Sequence, residues 1–443
     1  MKKRLLLFFL LLIGVPAFGA DLLQVYRDAL EYDAQYASAR AAHDAGQEKL
    51  PQARAGLLPS VSASANTTWN ETNFKARAPG APKMENHYNT HGYQITLTQP
   101  IFRWQNIEQY GQGKLAVAQA DALFVQAGQE LILRVAQVYF DVLLAQDGLD
   151  LAQSQKKAIA EQLEAAKHNF DVGAATITDT HEAQARYDLA TAQELTAQND
   201  LEIKREALRQ VVGTVPATLA PLRRQVRLQR PQPDDMSKWV DAAETGSPLV
   251  QAQQAALEIA DKEISKQRGG HLPTLDLVAT RGRSSATGSL IYGMGIPAYD
   301  SNASTVGVQL NLPIFAGGAV MSQDREAVAL REKARADLDN ARRSAALGAR
   351  QAYLGVTNGM AQVNAYEQAL VSSQLSLQSN KTGYDIGVRI NIDVLNAQQQ
   401  LYATRLDLAR ARYETLNAQL RLKAAAGSLG EEDVQAVNAL LEK

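Results

Sequence analysis

Residues 384–395 read "YDIGVRINIDVL", and residues 170–181 read "FDVGAATITDTH". The two stretches share an aromatic, an aspartate, a glycine, a hydrophobic spacing and a second aspartate. Around them the match continues. "GLLPSVSASA" from Gly56 is echoed by "GHLPTLDLVA" from Gly270, and "TQPIFRWQN" from Thr98 by "NLPIFAGGA" from Asn311. Pro59 and Pro273, Gly173 and Gly387, Asp179 and Asp393, and Gly213 and Gly427 all keep one offset of about 214 residues, far longer than a solenoid period. One structural unit is therefore used twice, with a first repeat expected over residues 20–230 and a second over 231–443.

Each repeat carries strands. Val61, Ala63 and Ala65 alternate with Ser62, Ser64 and Asn66, and Tyr93, Ile95 and Leu97 with Gln94, Thr96 and Thr98. In the second half Leu275, Leu277 and Ala279 alternate with Asp276 and Thr280, and Val306, Val308, Leu310 and Leu312 with Gly307, Gln309 and Asn311. Period-two alternation over roughly ten residues is a strand with one apolar and one polar face. Segments 70–92 and 281–304 read as polar loops. Such strands suit a soluble sandwich or a membrane barrel. A two-sheet sandwich needs more strands than these, and the smallest membrane barrels have about eight. An open sheet edge in lipid leaves backbone groups unsatisfied at several kcal/mol each. Several copies must then share one barrel, and three would supply about twelve strands.

After each strand pair comes a proline-free stretch, 103–171 and 317–385, of roughly 100 Å at 1.5 Å per residue if helical. Leu131, Val135, Val138, Val142, Ala145, Leu149 and Ala152 follow alternating spacings of four and three, a coiled-coil seam. The matching positions Ala345, Ala349, Ala352, Val356, Gly359, Val363 and Tyr366 are mostly small, which permits close helix approach. A second helix follows each turn, to about Gly213 and Gly427. Gly173 and Gly387 suit helix ends, Asp179 an N-cap with Glu182 three residues on, and Asn391 or Asp393 a second N-cap.

The first residues have the form of a secretory signal peptide, 1–19. Lys2, Lys3 and Arg4 precede an apolar run from Leu5 to Val15 that is short for a membrane span, and Ala17-Phe18-Gly19 supplies small residues for cleavage. A membrane anchor is the other reading of this segment. Cysteine is absent, which excludes disulfides, thiol nucleophiles and a lipid-modified cysteine. A net charge of −2 gives no electrostatic case for nucleic acid.

The chain offers enzyme-like decoys. Ser154-Gln155-Lys156-Lys157 and Lys381-Thr382-Gly383 match pieces of a penicillin-binding pattern, but the third element is missing and both lie in helical sequence. His87 and His91 have zinc-helix spacing without a further ligand and read as loop histidines. Gly293-Met294-Gly295 runs into Ile296-Pro297 and is no dinucleotide fingerprint. No catalytic constellation, metal site or cofactor is expected.

With "LLQVYRDAL", the "LPS" and "PIF" strand boundaries, "VGAATITDT", "IGVRINIDVLNAQQQLY" and the tail "YETLNAQLRLKAAAGSLGEEDVQAVN", the chain resembles the TolC-type outer-membrane efflux proteins, in their unlipidated branch. The resemblance covers essentially the mature chain. It implies an α+β membrane protein in the cell outer membrane, extending into the periplasm. A homotrimer would form a twelve-stranded β-barrel in outer-membrane lipid, continued by a long α-helical coiled-coil barrel. It further implies a passive exit duct of a tripartite efflux pump or type I secretion system. The partners would be a periplasmic adaptor (membrane fusion) protein and an inner-membrane ABC or RND-type transporter. By the same resemblance, a gate network falls on Thr178, Asp179, Tyr384 and Arg389, and an entrance ring on Asp393. At the next ring position the family has an acid and this chain has Asn396. The alternative expectation is a periplasmic coiled-coil structural or adhesion protein with a soluble β domain.

Overall fold

The computed structural model describes residues 19–442 apart from 76, 78, 81–82, 224–225 and 292–293. The predicted signal peptide, 1–19, lies outside the described residues except for Gly19.

The chain opens with helices α1 (Leu22–Tyr32), α2 (Ala34–Gln47) and α3 (Lys49–Ala55), followed by strands β1 (Ser60–Lys75) and β2 (Lys83–Phe102) and helices α4 (Trp104–Asp171) and α5 (Ile177–Val212). The order then recurs as α6 (Met236–Gly246), α7 (Pro248–Arg268), β3 (Thr274–Ala286), a small β4–β5 hairpin (Ser289–Ile291, Met294–Ile296), β6 (Tyr299–Asn311), α8 (Ala319–Asp385) and α9 (Asn391–Ala425). Helix α10 (Glu431–Asn438) ends the chain. The long helices have 68 and 67 residues, within a turn of the proline-free stretches. Helices precede the strands in both halves, which the alternation pattern does not reveal. Pro248 starts α7 at a position that needs no backbone donor.

The strands run further than their alternation. β1 has 16 residues, β2 has 20, and β3 and β6 have 13 each, so much of segments 70–92 and 281–304 is paired strand, with β4 and β5 inside the second. Toward the hairpin turns both faces become polar. The alternation fades there while the backbone ladder continues, because pairing needs no apolar face.

Two units form. One comprises residues 42–123 and 251–341, and the other the remaining described residues. Each draws on both halves of the chain, so packing follows a different partition from sequence duplication.

The first unit holds an antiparallel four-stranded sheet of order β1-β2-β3-β6. β2 and β3 join the two repeats. At that seam a Cβ on Gly92 would lie 2.6 Å from the Arg283 carbonyl oxygen, and one on Gly282 2.6 Å from that of Tyr93. Glycine is required there by close backbone approach. The register aligns Val61, Leu97, Ala279 and Val306 in one row, with Ser62, Thr96, Thr280 and Thr305 on the opposite face. The apolar face is bare: Val306 is 77% and Val308 62% exposed, and every residue of β6 is exposed. A soluble β domain would cover that face with a second layer, and none is present among the described residues. β1 and β6 each pair on one side only. At the helix-bearing end, Arg103 reaches Asp276 with two parallel hydrogen bonds of 2.8 and 2.6 Å. This charge-assisted fork fixes the start of α4 against β3.

The second unit centres on the middle of α4. Leu131, Val135, Tyr139, Phe140 and Leu143 pack with Val25 of α1, Leu208 of α5, Leu416 of α9 and Val434 of α10. Of the predicted seam, Leu131, Val135, Val142 and Ala145 are buried and Val138, Leu149 and Ala152 half-buried. Burial spreads beyond the seam because several elements, not one partner helix, surround α4. The second seam is narrower. Ala349, Val356 and Val363 are buried, and a Cβ at Gly359 would run into Thr415 of α9.

Two tyrosines anchor this core by their hydroxyls. Tyr139 reaches the carbonyl oxygens of Ala220 and Ala20 at 2.8 and 3.2 Å, and Tyr413 donates to Asp147 at 2.9 Å. Burial pushes the Asp147 carboxyl up, outweighing the hydrogen bond from Tyr413, and neighbouring Asp150 adds to the rise. A carboxyl with a raised folded-state pKa loses stability as pH rises through that pKa, so at neutral pH its ionised form is a burden to the fold. We expect Asp147→Asn, which keeps an acceptor for Tyr413, to raise the unfolding temperature at neutral pH. The wild-type protein should become more stable on mild acidification and the variant should not. Parallel pH dependence of thermal unfolding in both would contradict this account.

Candidate functional site

Both helical hairpins turn by the same device. Gly173 and Gly387 adopt φ of 76° and 74°, which an L side chain resists. Backbone bonds then close each turn across five residues, Ala174 N–H to Asn169 O at 2.7 Å and Val388 N–H to Gly383 O at 2.8 Å.

The caps differ from the sequence expectation. Thr176, not Asp179, is the N-cap of α5. Its hydroxyl accepts from the Asp179 N–H at 3.3 Å, while the Asp179 carboxylate accepts from the Thr176 N–H at 3.0 Å and hydroxyl at 2.8 Å. Asp179 thus completes a reciprocal capping box three residues inside the helix, the place assigned to Glu182. In the second turn Ile390 is the N-cap and has no side chain able to cap. Asn391 and Asp393 are therefore spared for other contacts, and Asp393 in the first helical turn still suits the helix dipole.

Arg389 lies 3.5 Å from Asp393 across one helical turn, both partly exposed. Such an exposed pair is worth about 0–1 kcal/mol. Tyr384 accepts a hydrogen bond at 3.2 Å from Asn169 near the end of α4, which ties one hairpin to the other. Thr178 is exposed. Among the described residues no hydrogen bond or ion pair within the chain joins Thr178 or Asp179 to Tyr384 or Arg389. Asn396 accepts from Arg186 of α5 at 2.9 Å, and the same guanidinium donates to Gln399 at 2.8 Å.

Beneath the turns, Ile159 and Leu163 of α4, Ala183 and Ala190 of α5 and Leu395 of α9 form a small dry core. Beside it Asn391 is fully buried and accepts from Gln162 of α4 at 2.6 Å; its own amide nitrogen has no partner among the described residues. Gln162, Asn169, Arg186, Asn391 and Gln399 therefore belong to the tip; of these the sequence pointed only to Asn391, as a candidate N-cap, and not to its contact with Gln162. Their partners lie 210 or more residues away, as in Gln162–Asn391 with a separation of 229. The duplication gave no signal, because these contacts link the two copies and do not repeat within each.

The enzyme-like decoys dissolve. The Ser154 hydroxyl donates to the Asp150 carbonyl oxygen one turn back in α4, and Lys381 lies in α8. His87 and His91 sit on β2, not in a loop; His91 pairs with Asn89, and His87 stands opposite Glu71. Gly293 lies outside the described residues, and Met294–Ile296 is strand β5. Among the described residues no cluster of metal-ligating side chains occurs, and no helix is long and apolar enough to cross a membrane.

Known proteins match along the whole chain. The family model for outer membrane efflux proteins matches twice, over residues 25–214 and 239–428. The alkaline protease secretion protein AprF of Pseudomonas aeruginosa is 33% identical over 435 residues, covering 97% of this chain and 89% of AprF. Outer membrane protein TolC of Escherichia coli is 35% identical over 446 residues, covering 98% of this chain and 89% of TolC. Among solved structures, the Campylobacter jejuni CmeC outer membrane channel superposes with a TM-score of 0.78 at 18% identity, covering 95% of this chain and 90% of CmeC.

The buried amide contact at the tip yields a test. Asn391→Ala strands the Gln162 donor in a dry site, at a cost of about 1–3 kcal/mol, whereas replacing both Gln162 and Asn391 by leucine removes the polar demand and costs much less. Amide hydrogen exchange over 384–395 should accelerate in the first variant and stay near wild type in the second. Equal acceleration in both would remove the contact from the tip's stability.

Proposed function

This chain belongs to the outer membrane efflux protein family, and on that premise we propose how it works as an exit duct. It resides in the outer membrane and conducts efflux or secretion. The observation that carries our reading is the four-stranded sheet, bare on both faces, apolar on one and open at both edges. In lipid the β1 and β6 edges must each find a partner strand, and the simplest donor is another copy of the chain. Three copies would close about twelve strands, with Ser/Thr-rich rows lining a watery lumen and rows such as Val61–Leu97–Ala279–Val306 facing lipid.

The long helices would continue that trimer into the periplasm, with the two hairpin turns of each copy at the entrance. Arg389 and Thr178 are exposed in the single chain, which leaves them free to meet a neighbouring copy. The gate we propose has two layers. Asn169–Tyr384 joins hairpins within a copy, and Arg389 with Asp179 and Thr178 joins copies. Each contact is weak alone, so threefold repetition holds the entrance shut while a partner protein can still open it. Asp393 would form a threefold acidic ring, tempered by Arg389. At the next ring position Asn396, held by Arg186, supplies no carboxylate.

A periplasmic adaptor and an inner-membrane transporter of ABC or RND type would complete the path and supply its energy. The chain itself needs no catalysis. The name of AprF, an alkaline protease secretion protein, favours protein cargo.

Light scattering in mild detergent should give a trimer. In planar bilayers Arg389→Ser combined with Tyr384→Phe should raise conductance severalfold. Asp393→Ala should weaken block by a trivalent cation added on the entrance side. A monomer would overturn the shared barrel, unchanged conductance the gate, and unchanged block the acidic ring.

A further inference from the structure

The apolar face of the sheet changes character toward its hairpin turns. The Val61–Leu97–Ala279–Val306 row is uncharged, and the next row toward the turns sets Arg281 beside Ile95. One row further, Arg283 stands beside Tyr93. Both arginines are exposed. Trp69, 79% exposed, lies on the same face nearer the turn. An arginine on the lipid face is strongly disfavoured at mid-bilayer and nearly neutral at the boundary. Two arginines immediately beyond the apolar rows, with exposed aromatic rings among them, therefore mark the edge of the hydrocarbon.

The two arginines are equipped differently. Arg283 donates to Asp300 at 2.7 Å, and that carboxylate also accepts from the Ser285 hydroxyl. This fixes the Arg283 guanidinium while using only part of its donor set. Arg281 has no side-chain hydrogen bond or ion pair among the described residues. One positive charge per chain is left over on this face, counting Arg281 and Arg283 against Asp300. The two positions are about 7 Å apart along the strand.

We propose that Arg281 and Arg283 seat the phosphorylated headgroup of a membrane lipid in the outer leaflet. Guanidinium favours phosphate because its planar fork offers paired donors. The ligand is a lipid and not free phosphate, because the arginines are flush with the Ile95 and Val61 rows. Only a phosphate carried on acyl chains satisfies the cations and the bare apolar rows together. Tyr93 suits the headgroup level, where one end of the ring is dry and the other wet. This inference rests on the barrel reading above.

The test uses the full-length protein in detergent, with native mass spectrometry and thermal dissociation as readouts. The probes are a bisphosphorylated glycolipid, the same lipid after removal of its phosphates, and inorganic phosphate. Wild-type protein should retain the phosphorylated lipid and dissociate at higher temperature with it. The dephosphorylated lipid and phosphate should do neither. Arg281→Gln should weaken retention about tenfold and Arg281→Gln with Arg283→Gln further, while Arg27→Gln on α1 leaves it unchanged. Equal retention by wild type and the double variant would overturn the proposal, as would equal binding of the dephosphorylated lipid. Loss of the trimer in Arg281→Gln without change in retained lipid would overturn it too, since the partner would then be a carboxylate of a second copy. Failure of the barrel reading looks different: wild type itself would run as a monomer and bind none of the lipids.

Discussion

A sheet one layer thick cannot stabilise itself, and the reading of the β-bearing unit depends on that. Its strands carry complete ladders on their inner sides and open N–H and C=O groups along β1 and β6. In water such edges invite aggregation; in lipid they are too costly to leave open. Closure by further copies, as proposed above, would resolve both, and membership of an outer-membrane family supplies the solvent in which closure would be compulsory. The same constraint explains the exposed apolar face, which would be a fault in a soluble domain. It also explains why arginines appear on that face only where the apolar rows stop.

The helical unit obeys a different rule. Its second seam is built mostly from small residues, so helices approach closely there, and contacts such as Gly359 against Thr415 leave no room for a larger side chain. Specific anchors are then few and polar: Tyr139 on the carbonyls of Ala20 and Ala220, Tyr413 on Asp147, and Arg134 on Asp33. The last of these is a fork onto a buried carboxylate, which fixes α4 against the end of α1. At the turns, charged and amide contacts join the hairpins beside a small apolar core that includes Leu395 of α9. That would suit the gate proposed above.

The two hairpin turns show how a duplication becomes asymmetric. Glycines at 173 and 387 and the backbone closure that follows them are shared. The caps are not. Thr176 and Asp179 form a capping box through one carboxylate oxygen of Asp179, whereas Ile390 has no capping side chain, Arg389 pairs with Asp393 within its own turn, and Asn391 reaches Gln162 of α4.

The sequence by itself determined the duplication, the lengths of the four long helices, the existence of paired strands and the glycines that end the helices. Each is a local matter of period, proline placement or backbone conformation, and each repeats at a constant offset. It missed the helices before the strands: Ala- and Gln-rich α2 carries no buried apolar stripe, whereas the Leu22, Val25, Tyr26 and Ala29 stripe of α1 was legible in the sequence. It cut the strands short, because alternation reports solvent on two sides and not the ladder itself. Only tertiary structure decided which side chains meet at the turns. Gln162 with Asn391, Asn169 with Tyr384, and Arg186 with Asn396 join segments more than 200 residues apart. No local pattern encodes a contact whose geometry depends on how two long helices are packed, and a shift of one residue in that packing would choose different partners.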